Sequence, residues 1–275
     1  MSLKGKAQEV LDLVEKGGFT NAAGQWVNIR PHVGQAVSGT RLYRPEDVDR
    51  LTVPPAVAPV TAAITIEVTP ETTQIAASRL VKKGCHDLVL LNFASARNPG
   101  GGFLNGAKAQ EEDLARCSAL YHCLFPQREY YEINRSQSSM LYTDHVIYSP
   151  QVPWFRTRSR DEPDELFLAS VITAPAPNAK QALLHGDTPA MIQVALERRC
   201  GQVLGVARDN GHRHLLLGAW GCGVFGNDPH LVAKSFKQWI EGPVFAGTFD
   251  RIVFAVFDRS NDQGTYRAFE ETFGE

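Results

Sequence analysis

The sequence predicts an α/β sandwich, and three observations carry that prediction. From about residue 64 onward, short β-branched apolar runs alternate with helical patterns, the order expected of strands and covering helices rather than of an all-α or all-β chain. Several of these runs are continuously apolar, as strands buried on both faces are. Two glycine-rich turns each follow directly on such a run, at the strand ends where open α/β sheets collect their ligands.

Along the chain, residues 1 to about 60 hold a short helix in VLDLVEKGG, a loop-rich stretch and the proline cluster VPPAVAPV. They read as an accessory segment packed on a core domain spanning 61–275. Strands are expected at 64–68, 87–92, 166–173, 214–218 and 251–257, and helices at 72–83, 109–124, 188–207, 229–240 and 266–272. Residues 125–165, rich in Tyr, Pro, Arg and Ser, read as an excursion over that core.

With 43% hydrophobic and 21% charged residues in 275, the composition is that of a globular chain with a substantial core. The 28 basic and 30 acidic side chains give a formal charge of -2, which supplies no field for a nucleic-acid duplex or an anionic membrane. Phosphate groups would have to be held locally, by backbone N–H groups in glycine loops or at helix starts. The first residues lack the apolar stretch of a secretory signal, and five cysteines without CxxC pairing fit reduced thiols. The expectation is a cytoplasmic protein with neither metal nor cofactor.

The first glycine turn lies in LNFASARNPGGGFLNGAKAQEEDLARCSALY, residues 91–121. A strand runs into Asn98, Pro99 and three glycines, Gly100, Gly101 and Gly102, before an acidic helix start. Glycines permit positive φ and close approach of backbone to a diphosphate. In the second turn, LLLGAWGCGVFGNDPHLVAKSF, the glycines Gly221, Gly223 and Gly226 satisfy the dinucleotide spacing GxGxxG, with Glu241 twenty residues after the first. Too little chain follows for a doubly wound dinucleotide domain, and Asn227, Asp228 and Pro229 delay the helix, so a nicotinamide-dependent oxidoreductase is disfavoured.

Gln110, Glu111 and Glu112 follow Gly102 after seven residues. Acidic residues in a first helical turn are common for their complementarity to the helix dipole alone. Beside a phosphate-binding turn, however, extra negative charge would repel the ligand, which asks for another reason. Neighbouring helical residues point about 100° apart, so one carboxylate can face a sugar while the other faces a neighbouring hydroxyl or the fold. Carboxylates beside a sugar-bearing diphosphate suggest glycosidic chemistry, with a glutamic acid protonating the leaving oxygen.

The order GGG, seven residues, QEE resembles the signature of poly(ADP-ribose) glycohydrolases, and the whole 91–121 segment resembles their bacterial branch. IYSPQVPWFR, VITAPAPN, LGAWGCGVFGNDP and IVFAVFD resemble that branch too, so the likeness runs from about residue 60 to 260. The resemblance implies a macrodomain-like three-layer α/β/α sandwich with a mixed central sheet. It implies ADP-ribose polymer as substrate and ADP-ribose as product, with exo-type cleavage. Glu112 would be the acid/base; Asn98 and Glu111 would hold ribose hydroxyls; Gly100 to Gly102 would form the catalytic loop against the diphosphate and distal ribose, with Gln110 among the substrate-binding residues. Gly221, Cys222, Gly223, Val224, Phe225 and Gly226 would hold the diphosphate from the other side, Phe225 packing on the distal ribose. From general macrodomain layout, Phe257 would stack on adenine. The competing reading is a binding module for ADP-ribose with the same loops and no turnover.

Overall fold

The structure is a computed structural model that describes residues 2–54 and 63–274. In chain order the elements before the proline cluster are α1 (Leu3–Lys16), β1 (Gly18–Thr20), β2 (Trp26–Asn28), α2 (Arg30–Gly39), β3 (Arg41–Tyr43) and α3 (Pro45–Arg50). After it come β4 (Thr65–Thr69), α4 (Thr73–Lys82), β5 (Leu88–Phe93), α5 (Gln110–Cys117), α6 (Leu120–Leu124), α7 (Arg128–Ser136), β6 (Val146–Trp154) and β7 (Phe167–Ala174). The chain closes with α8 (Ala179–Leu184), α9 (Pro189–Asp209), β8 (His214–Gly218), α10 (Pro229–Glu241), β9 (Arg251–Ala255) and α11 (Gly264–Phe273).

Seven strands form one mixed sheet in the order β3-β6-β7-β5-β8-β9-β4. The five from β7 to β4 are parallel, and β6 runs antiparallel to both its neighbours. Helices cover both faces, giving the three-layer α/β/α arrangement. In β5 the alternation of strand side chains divides the core: Val89 and Leu91 join the cluster with Leu196 of α9 and Phe236 of α10, whereas Leu88 and Leu90 join the cluster with Ala76 of α4 and Leu114 of α5. Burying such side chains contributes roughly 1.5–3 kcal/mol each, which explains why the expected continuous apolar runs are the strands at the sheet centre.

The main departures from expectation lie outside those runs. The segment before residue 60 supplies β3, one of the two edge strands of the sheet, while the 60/61 boundary lies outside the described residues. The 125–165 excursion is corrected more sharply: it contains β6, nine residues long and paired on both sides. Pro150 and Pro153 argue against an internal strand, but a bulge between Ser149 and Val152, with Gln151 at φ 44, accommodates them. The single helix expected at 109–124 is two, because Ser118 is extended and bridges to Trp154. Around that break Ala119 N–H donates to Pro153 O (3.0 Å) and Phe155 N–H to Cys117 O (3.0 Å).

Parallel strands leave their carboxyl ends on one edge. The turns after β5, β7, β8 and β9 therefore gather there, and both glycine turns are among them.

Candidate active site

The first glycine turn and the start of α5 are locked together by three consecutive side chains. Gln110 acts as an extra rung on β5: its Oε1 accepts from Phe93 N–H (2.9 Å), and its Nε2 donates to Leu91 O (2.9 Å) and Thr73 Oγ1 (3.2 Å). With its amide engaged in this way, Gln110 fixes the helix rather than presenting a free group to a ligand. Glu111 turns toward β5, accepting from Asn92 Nδ2 (3.2 Å) and Ser95 N–H (2.7 Å). Glu112 reaches back over the turn, accepting from Gly102 N–H (2.7 Å) and, as a helix cap, from Ala109 N–H (2.8 Å).

The two carboxylates thus diverge along the helix and meet again beneath Gly101. That residue has φ 58, and a Cβ there would collide with Glu112 Oε1 and sit 3.1 Å from Glu111 Oε2. Gly100, at φ 68, is held by a different neighbour: its Cβ would lie 3.0 Å from the Tyr121 ring. Both glutamates are buried, at 2% and 6% exposure. Burial pushes the Glu111 carboxyl up to about 8, an effect opposed by the Ser95 N–H and Asn92 bonds and reinforced by the charge of Glu112. Asn98 follows on the surface, its N–H tied to Ser95 Oγ (3.1 Å).

The second turn is built by a residue that the sequence offers only as a helix-delaying one. Asn227, 3% exposed, donates from Nδ2 to Pro177 O (2.8 Å) and Gly221 O (3.2 Å). Its amide fills the space that a Cβ on Gly221 (φ 74) would need. Asp228 then caps α10 through His230 N–H (2.8 Å), with Pro229 in the first turn. Between these anchors the turn is open. A Cβ on Gly223 would meet nothing within 4 Å, Val224 is 81% exposed, and among the described residues the N–H groups of Gly223, Val224 and Phe225 donate to no protein acceptor. Cys222 is turned inward and burial pushes its thiol up to about 12, so only its backbone faces the turn.

Phe225 lies 6.0 Å from the ring of Tyr142, a non-glycine residue at φ 62. The wall that carries Tyr142 is pinned by the fully buried Arg199, which donates to Asp144 Oδ1 (2.8 Å), Pro175 O (2.8 Å) and Leu141 O (2.6 Å). Phe257, just past β9, is half exposed with the Arg259 guanidinium 4.9 Å from its ring. Of the residues that sequence reasoning misses, Asn92, Ser95 and Asn227 hold the two turns in shape, and Tyr142 faces Phe225. A polar Asn inside VLLNF is the one legible signal, because a buried polar side chain in a central strand needs a partner.

Among the described residues no group of three or more His, Cys, Asp or Glu could hold a metal ion, and no helix is long and apolar enough to cross a membrane. Cavities of about 430 and 420 Å³ lie around α4, lined by Arg79 and Lys82 in one and Cys85 and His214 in the other, apart from both glycine turns.

A macrodomain-like sheet whose ligand edge carries two glycine turns and a buried glutamate pair fits the glycoside hydrolase of a sugar–diphosphate substrate that the sequence suggests. The family model for the microbial-type PARG catalytic domain matches residues 7–157. Poly(ADP-ribose) glycohydrolase (PARG) from Thermomonospora curvata is 44% identical over 98% of this chain and 99% of its own, with a TM-score of 0.92. The same enzyme bound to the inhibitor ADP-HPD gives 0.90 over the same shares at 44% identity. PARG from Deinococcus radiodurans in complex with ADP-ribose is 44% identical over 88% of this chain and 97% of its own, at 0.81. No curated protein matches. The chain belongs to the microbial-type poly(ADP-ribose) glycohydrolase family.

Proposed function

We propose that this chain hydrolyses the ribose–ribose bonds of ADP-ribose polymer, with Glu112 as acid and then base and Glu111 as its partner. The observation that carries the assignment is the convergence of both carboxylates on Gly101, beneath a turn whose backbone can lie directly against a ligand. A module that only bound ADP-ribose would gain nothing from two buried carboxylates beside an anionic ligand, since each adds repulsion. Binding of ADP-ribose and of ADP-HPD by the two relatives supports the ligand class.

In this reading the diphosphate lies between the turns, facing the free N–H groups of Gly223, Val224 and Phe225. The distal ribose sits under Gly100 to Gly102, with Asn98 and Glu111 at its hydroxyls and Phe225 against its ring. Phe257 meets the adenine. Glu111, raised to about 8 by burial, holds a proton near neutral pH and passes it to Glu112 before the bond breaks. Glu112 delivers a proton to the 2′-oxygen of the leaving adenosine ribose as positive charge builds at the anomeric carbon. The C–O bond breaks, and the resulting Glu112 carboxylate takes a proton from the water that adds to that carbon. The released product is ADP-ribose, and an exo-acting enzyme would take it from the polymer end.

Glu112→Gln tests the assignment. Glutamine can accept only one of the two N–H bonds that Glu112 accepts, yet Gln110 and Glu111 still tie α5 to β5. Release of ADP-ribose from polymer should fall by about 10³-fold while calorimetry still detects ADP-ribose binding. Wild-type turnover in the variant would remove Glu112 from the mechanism.

A further inference from the structure

Several guanidinium groups in this protein face a carboxylate: Arg79 meets Glu71, Arg199 meets Asp144, Arg213 meets Asp250 and Arg44 meets Glu129. Arg97 and Arg135 meet none among the described residues. Arg97 stands in the turn between β5 and the three glycines, its Nε buried without an acceptor and its Nη2 facing only the Met140 sulfur, at 3.8 Å. Leaving such a donor unmatched costs about 1–3 kcal/mol, and more when it is charged. Arg135 of α7 donates to the Arg97 carbonyl (2.7 Å), which brings a second free cation to the same spot.

This pair is coupled to the candidate catalytic carboxylates by a short, rigid path. Ser95 donates its N–H to Glu111, and its Oγ accepts from Arg97 N–H (3.3 Å) and Asn98 N–H (3.1 Å). The pair also lies on a defined side. Phe257 follows β9, two strands from β5 on one flank, whereas Met140 and Arg135 come from the chain leading into β6, on the other flank beyond β7. A nucleotide laid from the β9 end toward the glutamates brings its reactive ribose under the first turn. The rest of the chain, with its next diphosphate, then continues toward Arg97 and Arg135.

We propose that Arg97, backed by Arg135, forms a subsite for the diphosphate of the neighbouring ADP-ribose unit, on the leaving side of the bond. The subsite makes the enzyme recognise polymer above free ADP-ribose, and it rests on the functional reading given above. Planar guanidinium groups suit phosphate oxygens through paired N–H bonds. A protein of formal charge -2 has no general attraction for a polyanion, so such attraction has to reside in local cations such as these two.

The test compares Arg97→Gln, Arg97→Lys and Arg135→Gln with the parent. KM for polymer should rise about tenfold in Arg97→Gln with kcat little changed, and less in Arg135→Gln and Arg97→Lys. Affinity for free ADP-ribose, measured by calorimetry, should stay within about twofold in all three, which also reports that they fold. The salt dependence of KM should flatten in the two glutamine variants. A parallel loss of ADP-ribose affinity would assign Arg97 to the terminal unit and overturn the proposal, as would unchanged polymer KM. Affinity for a two-unit ADP-ribose chain, measured in a Glu112→Gln background, tests the subsite without turnover. A protein that binds this chain through Arg97 yet never cleaves polymer would refute the hydrolase reading alone.

Discussion

The two glycine turns share an edge of the sheet and a composition, yet their glycines answer to different neighbours. In the first, the absent side chains make room for the protein itself: Gly101 clears Glu112 and Glu111, and Gly100 clears Tyr121. In the second, Gly221 makes room for Asn227, but Gly223 faces open space and its N–H and those of the next two residues are unclaimed. The first turn is thus fitted onto a carboxylate pair, and the second is open to solvent. A glycine run in a sequence does not tell these cases apart, because both need backbone without Cβ.

The largest expected effect follows from the first turn. Gly101→Ala introduces a methyl group into the glutamate pair at a positive φ that an L side chain rarely adopts, so two costs coincide. Stability should fall by about 2–3 kcal/mol, read from the denaturation midpoint, and polymer hydrolysis by at least about 10²-fold. Normal activity in a well-folded Gly101→Ala protein would break the idea that the turn and the carboxylates form one unit.

Next in size is the pH dependence of the same turn. Glu111 has an ordinary value of 4.5 and is raised to about 8 in the fold by burial. Below 4.5 the carboxyl is protonated whether the chain is folded or not. Between 4.5 and 8 only the folded chain holds the proton, so raising the pH favours unfolding, and above 8 the loss is complete. The stability of the wild type should decline with pH across that window at up to roughly 1.4 kcal/mol per unit, and Glu111→Gln should remove the decline. Urea titrations from pH 5 to 9 measure both; a slope equal in the two proteins would place the titrating group elsewhere.

Sequence reasoning reaches the parallel strands at the sheet centre because continuous burial writes itself as continuous apolar runs. It misses β3, a three-residue edge strand with little apolar pattern, and β6, whose two prolines contradict the strand signal until a bulge absorbs them. The glutamate pair is legible from its spacing after the glycines. The residues that shape the turns are not: Gln110 reads as part of the acidic motif, but its amide belongs to β5, and Asn227 reads as loop, but its amide supports Gly221. Long-range side chain to backbone bonds of this kind leave no periodic trace.

The smallest effect on stability sharpens the comparison most. Gly223 has no positive φ to defend, and a Cβ there would touch nothing in the protein, so Gly223→Ala should change stability by less than about 0.5 kcal/mol. If the open turn holds a diphosphate through its free N–H groups, the added methyl group enters the space of the ligand and pushes it away from donors that work only near 3 Å. ADP-ribose affinity should then drop about tenfold, seen by calorimetry on a protein with unaltered melting. The pairing matters: Gly101→Ala harms fold and chemistry together, whereas Gly223→Ala should harm binding alone. An alanine at 223 that leaves affinity intact would show that the second glycine turn, like the first, is shaped for the protein rather than for its ligand.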